Sequence, residues 1–167
     1  MENKEFTITD DLLASKGERF LNYIIDLLVL YVIVLCIGQT IFIIADITMS
    51  YGLADWVESM NSFEQSVFAI LIVFFYYGLT EMYFSRSIAK YFTKTMVVRK
   101  DGSRPNSKTI IMRTLCRLIP FEPFSFLGNT SRGWHDMFSD TYVVKKHEFN
   151  EKKRLFYPSD QVGENVI

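Results

Sequence analysis

The feature that most constrains this chain is an apolar stretch from Phe20 to Ala45 that contains a single acidic residue. About 20 mainly apolar residues are enough to cross the roughly 30 Å hydrocarbon core of a bilayer, so the stretch predicts a membrane-spanning helix with room to tilt. The acid, Asp26, lies about two helical turns inside it. A carboxylate at that depth costs roughly 2.5–3.5 kcal/mol on insertion scales, and we therefore expect Asp26 to have a partner or a task.

A second apolar run, Val67 to Phe84, predicts a second spanning helix. The loop between the runs, residues 46–66, contains neither Lys nor Arg, whereas residues 85–108 contain seven basic side chains. Loops rich in Lys and Arg remain on the cytoplasmic side of a membrane. The charge pattern therefore predicts a multi-pass inner-membrane protein with both its N- and C-termini in the cytoplasm.

The predicted organisation has three parts: a polar cytoplasmic tail at 1–18, a membrane domain at 19–145 with spans at about 20–45 and 67–84, and a charged cytoplasmic tail at 146–167. Within the membrane domain, Thr93–Arg99 and Thr141–Lys145 are rich in Thr and Val and are predicted to pair as a small cytoplasmic β-ribbon. The predicted fold class is an all-α membrane protein with two transmembrane helices, an amphipathic or re-entrant helical segment and this ribbon.

The segment at about 108–128 has two interpretations. Its first half has the spacing of an amphipathic helix, with apolar residues on one side and Arg113 and Arg117 on another. Pro120 and Pro123 would break that helix. A third complete crossing would place the basic C-terminal tail outside, against the charge rule. We therefore favour a re-entrant or interfacial helix that enters from the inner face and returns to it.

Polar side chains from three segments are predicted to form an intramembrane charge cluster: Arg19, Asn22, Asp26, Glu81, Arg113 and Arg117. The first three follow i, i+3, i+7 spacing and share one helix face. Arg19 and Asp26 are about 10 Å apart along the helix axis, too far for a direct ion pair. We expect Arg113 or Arg117 to pair with Asp26 instead, and Glu81 to lie at a similar depth.

The cluster allows two hypotheses, which the sequence does not separate. The ion pairs can simply hold the helices together, or they can line a path for ions or protons, as acids within transporters often do. The pair His135-Asp136 could suggest catalysis, but no nucleophile motif accompanies it, and we expect no enzymatic activity, no metal site and no cofactor. The net charge of -1 predicts no nucleic-acid partner, so residues 85–108 are interpreted as a retention signal beside the membrane.

The order of these motifs resembles the RDD family of bacterial membrane proteins, named for one arginine and two aspartates. Three elements carry the resemblance across about residues 15–145: Gly17-Glu18-Arg19-Phe20 with Ile25-Asp26, Ser87-Ile88-Ala89-Lys90 with Val97-Val98 and Asp101-Gly102, and Trp134-His135-Asp136 with Thr141, Val143 and Val144. Ala89 replaces the usual glycine and Trp134 the usual leucine. The residues that match the family motif are Arg19, Asp26, Lys90, His135, Asp136 and Thr141.

The resemblance implies a protein of the bacterial inner membrane, without assigning a ligand. It implies a transport-related function, such as cation or proton movement. Because two spans do not easily enclose a pathway, we expect such a transporter to be an oligomer. The alternative is a non-transporting accessory or assembly subunit of a larger membrane complex. The expected partners are therefore the lipid bilayer and either further copies of the chain or another membrane protein.

Overall fold

The computed structural model describes residues 6–127 and 132–157. In that part of the chain, two long helices are followed by short helices and a two-stranded sheet. The helices, numbered in chain order, are α1 (Lys16–Thr48), α2 (Gly52–Ser59), α3 (Ser62–Phe84), α4 (Ile88–Phe92), α5 (Ser107–Cys116), α6 (Trp134–Phe138) and α7 (Lys146–Phe156). Short 3-10 helices lie at Asp10–Leu12 and Glu122–Leu127.

Both long helices begin at a capping box that the sequence encodes locally. Ser15 Oγ accepts a hydrogen bond from the Glu18 backbone N–H at 3.2 Å, and the Glu18 carboxylate accepts one from the Ser15 backbone N–H at 2.7 Å. Asn61 and Glu64 repeat the arrangement at the start of α3. Reciprocal bonds of this kind satisfy N–H groups that a helix N-terminus leaves unpaired, which fixes where each helix starts.

The helical segments Lys16–Thr48 and Ser62–Phe92 are long and apolar enough to cross a membrane, with mean hydropathies of 2.8 and 1.7 in their most apolar windows. The protein buries 0% of the first window and 17% of the second. Nearly all of this apolar surface therefore points away from the protein interior. The predicted spans at about 20–45 and 67–84 lie within α1 and α3, and the predicted fold class is confirmed.

The two strands, β1 (Thr95–Arg99) and β2 (Thr141–Lys145), pair antiparallel as predicted. The register runs from Thr95 opposite Lys145 to Arg99 opposite Thr141. One face of the ribbon packs into a small apolar core: Phe6, Leu12, Met96, Val98, Val144 and Phe149. We call the part of the molecule that contains this ribbon the sheet end.

The two segments expected to be tails carry more structure than their polar composition predicts. At the N-terminal side, the Ala14 N–H donates to the Val143 carbonyl at 2.9 Å, and Phe6 is buried. At the C-terminal side, α7 places Phe149, which is 1% exposed, edge-on against Phe6 with ring centroids 5.8 Å apart. A few apolar residues in each polar segment cover the ribbon, which explains the difference. Residues 1–5 and 158–167 lie outside the described part of the chain.

Helix α5 has an inverted pattern of burial. Its Arg113 side chain is fully buried, whereas Ile111 and Leu115 are 41% and 48% exposed. Ten residues span only about 15 Å, roughly half of a hydrocarbon core, and the helix ends before Pro120. The geometry fits an interfacial helix that presents Ile111 and Leu115 outward and Arg113 inward, with Ile110 also buried. Beyond it, Phe121 and Phe124 are 76% and 56% exposed, while the side chain of Phe126 and residue Gly128 lie outside the described part.

Candidate functional site

Asp26 is buried and accepts three hydrogen bonds from uncharged donors. The Tyr76 and Ser87 hydroxyls each donate at 2.6 Å, and the Ala89 backbone N–H donates at 3.1 Å. The chain reverses at Ser85, which has a left-handed φ of 55°, and this turn brings α4 back toward α1. The turn after α3 and the first residues of α4 thus supply two of the three donors that hold the carboxylate.

The prediction that Asp26 pairs with Arg113 or Arg117 is wrong. Within the described residues neither arginine forms an ion pair with Asp26, because both bind other acids. The oxygens of Asp26 are already filled by hydroxyl and backbone donors, which compensate a buried carboxylate without an opposite charge. The sequence argument considered charged partners only, and a backbone N–H leaves no trace in a residue pattern.

Glu81 is instead the acid that collects cations. It is fully buried, with Arg117 Nη2 2.8 Å and Lys90 Nζ 3.2 Å from its Oε1, and Arg113 Nε 2.9 Å from its Oε2. Lys90 also donates to Ser87 Oγ at 3.3 Å. Because Ser87 donates onward to Asp26, one continuous run of hydrogen bonds joins Glu81 to Asp26.

Asp136 forms a second centre of charge pairing. It is fully buried and accepts hydrogen bonds from Arg19 and Arg113, while the Thr141 hydroxyl lies 3.3 Å away. Burial alone would raise the pKa of Asp136, but the charges of Arg113, His135 and Arg19 outweigh it and hold that pKa well below its usual range. Arg113 thereby bridges two carboxylates, Glu81 and Asp136, and ties α5 to α3 and α6.

His135 contacts both Asp136 and an acid that the sequence analysis did not identify, Glu122. The His135 Nε2 atom lies 3.4 Å from Asp136 Oδ1, and Nδ1 contacts Glu122 Oε1. Burial lowers the pKa of His135, and the charges of Arg113 and Arg117 add to this effect against the opposing Asp136. A carboxylate only accepts hydrogen bonds, so Nδ1 of His135 is the donor to Glu122. Burial would raise the pKa of Glu122, and the hydrogen bond from His135 is the main cause of its net lowering.

Asn22, the remaining member of the predicted cluster, contacts no charged group in the described structure. Its Nδ2 donates to Thr95 Oγ1 at 3.2 Å, and its Oδ1 accepts from the Thr93 hydroxyl at 2.6 Å. These bonds attach α1 to the start of β1. Sequence reasoning placed Asn22 on the correct face of α1 but did not identify Thr93 or Thr95 as its partners.

A cavity of about 220 Å³ lies between α1, α3 and the charge cluster. The charged side chains that line it are Arg19, Asp26, Lys90, Arg113, Arg117 and Glu122. His135 also lines it, and aliphatic side chains from both spans complete the wall. Among the described residues, no group of three His, Cys, Asp or Glu side chains is placed to hold a metal ion.

The RDD family profile matches residues 13–140, which is most of the chain. The chain belongs to the RDD family. No curated protein and no solved structure matches it. This RDD protein therefore has a membrane-type fold whose cluster must be interpreted from its own geometry.

The residues predicted to match the family motif meet in three dimensions although they are far apart in sequence. Arg19, His135 and Thr141 all contact Asp136. Lys90 connects this group to Asp26 through Glu81 and Ser87. These predicted motif residues thus belong to one continuous polar network that begins within the first span and ends beside β2.

Proposed function

We propose that this RDD protein acts in transport across the bacterial inner membrane by moving protons, with Asp26 as the group that takes up and releases the proton. The supporting observation is the difference between Asp26 and the other buried acids. Glu81 and Asp136 each bind at least two cationic side chains, and Glu122 binds His135, whereas the donors to Asp26 are uncharged. Neutralising Asp26 therefore breaks no ion pair.

The surroundings of Asp26 favour a proton over a metal cation. Among the described residues no three His, Cys, Asp or Glu side chains are grouped to hold a metal ion, and four cationic side chains line the cavity beside Asp26 and Glu122. A proton taken up by Asp26 converts one carboxylate into a neutral carboxyl group, so unlike a metal cation it needs no further ligating side chains. The run of hydrogen bonds through Ser87 and Lys90 to Glu81 offers a connection toward the sheet end.

A homo-oligomer would complete the pathway. Two helices cannot surround a channel, and the most apolar window of α1 is 0% buried within one copy. Apolar residues such as Leu28 and Val32 leave that face open to lipid or to a second copy. In the proposed assembly, a neighbouring copy covers the outer half of the path above Asp26.

The test is proton flux into vesicles that contain the purified full chain and a pH-sensitive dye. Wild-type protein is expected to accelerate the dissipation of an imposed pH gradient, and Asp26→Asn to lose that acceleration, because the amide keeps the size of the side chain but cannot exchange a proton. Asp46→Asn is the matched control, since Asp46 lies on the same helix and is exposed. Helical circular dichroism confirms that each variant is folded.

Flux by Asp26→Asn equal to wild type would refute the role of Asp26. No flux above protein-free vesicles would instead favour the second candidate, a non-transporting accessory or assembly subunit. That alternative draws on the same exposed apolar faces of α1 and α3, which a larger membrane protein could cover. Purification in mild detergent separates the two: a homo-oligomer accords with transport, and a stoichiometric partner of another sequence with the accessory role.

A further inference from the structure

Gln39 is a polar residue in the second half of the α1 span, and its amide has no partner within the described part of the chain. Residues 27–37 and 41–45 flank it and are apolar apart from Tyr31. The Gln39 side chain is exposed, and no described residue forms a hydrogen bond with it. An amide that faces hydrocarbon without a hydrogen bond is strongly unfavourable. Gln39 therefore needs a partner from outside this copy of the chain.

Three other polar side chains of α1 show how such groups are satisfied within one copy. Asn22 and Asp26 have the partners described above, and the Thr40 hydroxyl donates to the Cys36 carbonyl at 2.7 Å. Water at the end of the span does not serve Gln39 in the same way. Residue 46, where the apolar run ends, lies about 10 Å farther along the helix axis. A glutamine side chain is shorter than that distance.

Gln39 belongs to an exposed apolar face of α1. At about 100° per residue, four apolar residues lie within about 40° of Gln39 around the helix axis. These four, Leu28, Val32, Leu35 and Ile43, are 46–59% exposed. Positions 28, 32, 35 and 39 follow one another at intervals of four, three and four residues. This spacing is typical of a helix that packs lengthwise against a second helix.

A second copy of the chain supplies the partner that this face needs. All copies insert in the same orientation, because the same distribution of Lys and Arg orients each of them. The α1 helices of two copies therefore run parallel, and a two-fold axis along the membrane normal places one Gln39 opposite the other at the same depth. An amide both donates and accepts hydrogen bonds, so the two side chains satisfy each other reciprocally. A partner of another sequence has no such match by symmetry.

We propose that two copies of this RDD protein dimerise through the face of α1 centred on Gln39. Leu28, Val32 and Leu35 of each copy then pack along the same seam. Asp46 lies on this face seven residues beyond Gln39 and is exposed, and two such carboxylates repel each other. The close contact therefore extends from Gln39 toward the N-terminal end of α1. The inference names the partner and the contact face of the homo-oligomer proposed above, and it rests on that function for its physiological meaning.

The first experiment measures association by energy transfer between donor- and acceptor-labelled full chains in lipid vesicles. The labels are attached to Lys100→Cys in a background without Cys36 and Cys116. Transfer is expected to rise with the protein-to-lipid ratio to a plateau that is linear in the acceptor fraction, as for a dimer. Gln39→Leu should weaken dimerisation about tenfold, because it removes the hydrogen bonds between the helices. Thr40→Val removes the neighbouring polar group, which already has a partner, and should leave dimerisation unchanged.

The second experiment tests the face by oxidative cross-linking of single cysteines in the same background. Leu35 and Val34 are each 46% exposed, but Val34 lies about 140° from Gln39 around the helix axis. Copper phenanthroline is expected to link Leu35→Cys into a disulfide dimer and to leave Val34→Cys monomeric. Adding Gln39→Leu to Leu35→Cys should slow the cross-link. This experiment decides the question if Gln39→Leu does not fold.

Several results would overturn the dimer. These are energy transfer no greater than that with an unrelated membrane protein, dimerisation of Gln39→Leu equal to wild type, and equal cross-linking of Leu35→Cys and Val34→Cys. A plateau that curves with the acceptor fraction would replace the dimer with a larger oligomer. The outcomes also separate this inference from the proposed function. A dimer without proton flux would keep the interface and refute transport, whereas flux that depends on Asp26 from a protein that stays monomeric would do the reverse.

Discussion

Glu81→Gln is expected to destabilise the protein strongly, because the change removes the charge that three buried cations share. The carboxylate of Glu81 lies 2.8–3.2 Å from nitrogens of Lys90, Arg113 and Arg117. Removing one partner of a buried ion pair costs about 3–5 kcal/mol, since the other charge remains buried without compensation. The amide oxygen of glutamine can still accept one hydrogen bond, so we expect a loss within that range rather than a multiple of it.

The measurement is the free energy of unfolding in mixed micelles titrated with sodium dodecyl sulfate and followed by circular dichroism. Glu64→Gln is the matched control on the same helix. Its carboxylate accepts from the Asn61 N–H at 2.9 Å, and glutamine preserves this capping bond, so the change should stay within about 0.5 kcal/mol. A loss below about 1 kcal/mol for Glu81→Gln would contradict the assignment of Glu81 as the acid that collects cations.

The double variant Glu81→Gln/Lys90→Met provides an internal check. Removing Lys90 as well eliminates one of the cations that Glu81→Gln leaves without compensation. The double variant should therefore be more stable than the sum of the single changes predicts, by at least about 0.5 kcal/mol. Strict additivity would show that Lys90 and Glu81 do not interact in the membrane.

Other predictions concern pH, topology and the ribbon core. The pKa of buried His135 lies below the unfolded value of about 6.5, so the unfolded chain binds more protons as pH falls through 6.5, and stability should then decrease by at most about 1.4 kcal/mol per pH unit. His135→Gln should remove this slope in unfolding titrations, whereas His147→Gln, at a side chain 78% exposed, should not. In a cysteine-free background, an impermeant thiol reagent on intact cells should label Asp55→Cys and not Lys100→Cys; the reverse pattern would invert the proposed orientation. Phe149→Ala should cost about 3–5 kcal/mol of the unfolding free energy if α7 is part of the folded unit, and a negligible loss would show that it is not.

The family pattern of charged residues located the site but not its connections. The resemblance singled out Arg19, Asp26 and Asp136, and the structure joins them through intermediates with weak sequence signals. Ser87 is one such residue, and Glu122, which follows Pro120 at no informative spacing, is another. Hydroxyl groups and lone acids are common in every membrane protein, so their type alone does not indicate a role.

The sequence by itself determined the features that depend on neighbouring residues. Hydropathy over a window of residues specified two spans, Thr- and Val-rich runs specified two strands, and i, i+3, i+7 spacing put Arg19, Asn22 and Asp26 on one face of α1. Each of these signals is local, because helix length, strand propensity and facial periodicity are properties of short segments.

Only the tertiary structure decided which acid meets which base. Asp26 binds Tyr76, 50 residues away, and Arg19 binds Asp136, 117 residues away. These contacts depend on where the turn after α3 and the short helix α5 place their groups. Hydrogen bonding then selects among several acids and cations at similar depth, and a backbone N–H can take the place of an arginine. Hydrogen bonding and charge pairing between distant segments gave Asp26 its uncharged donors and Glu81 its three cations.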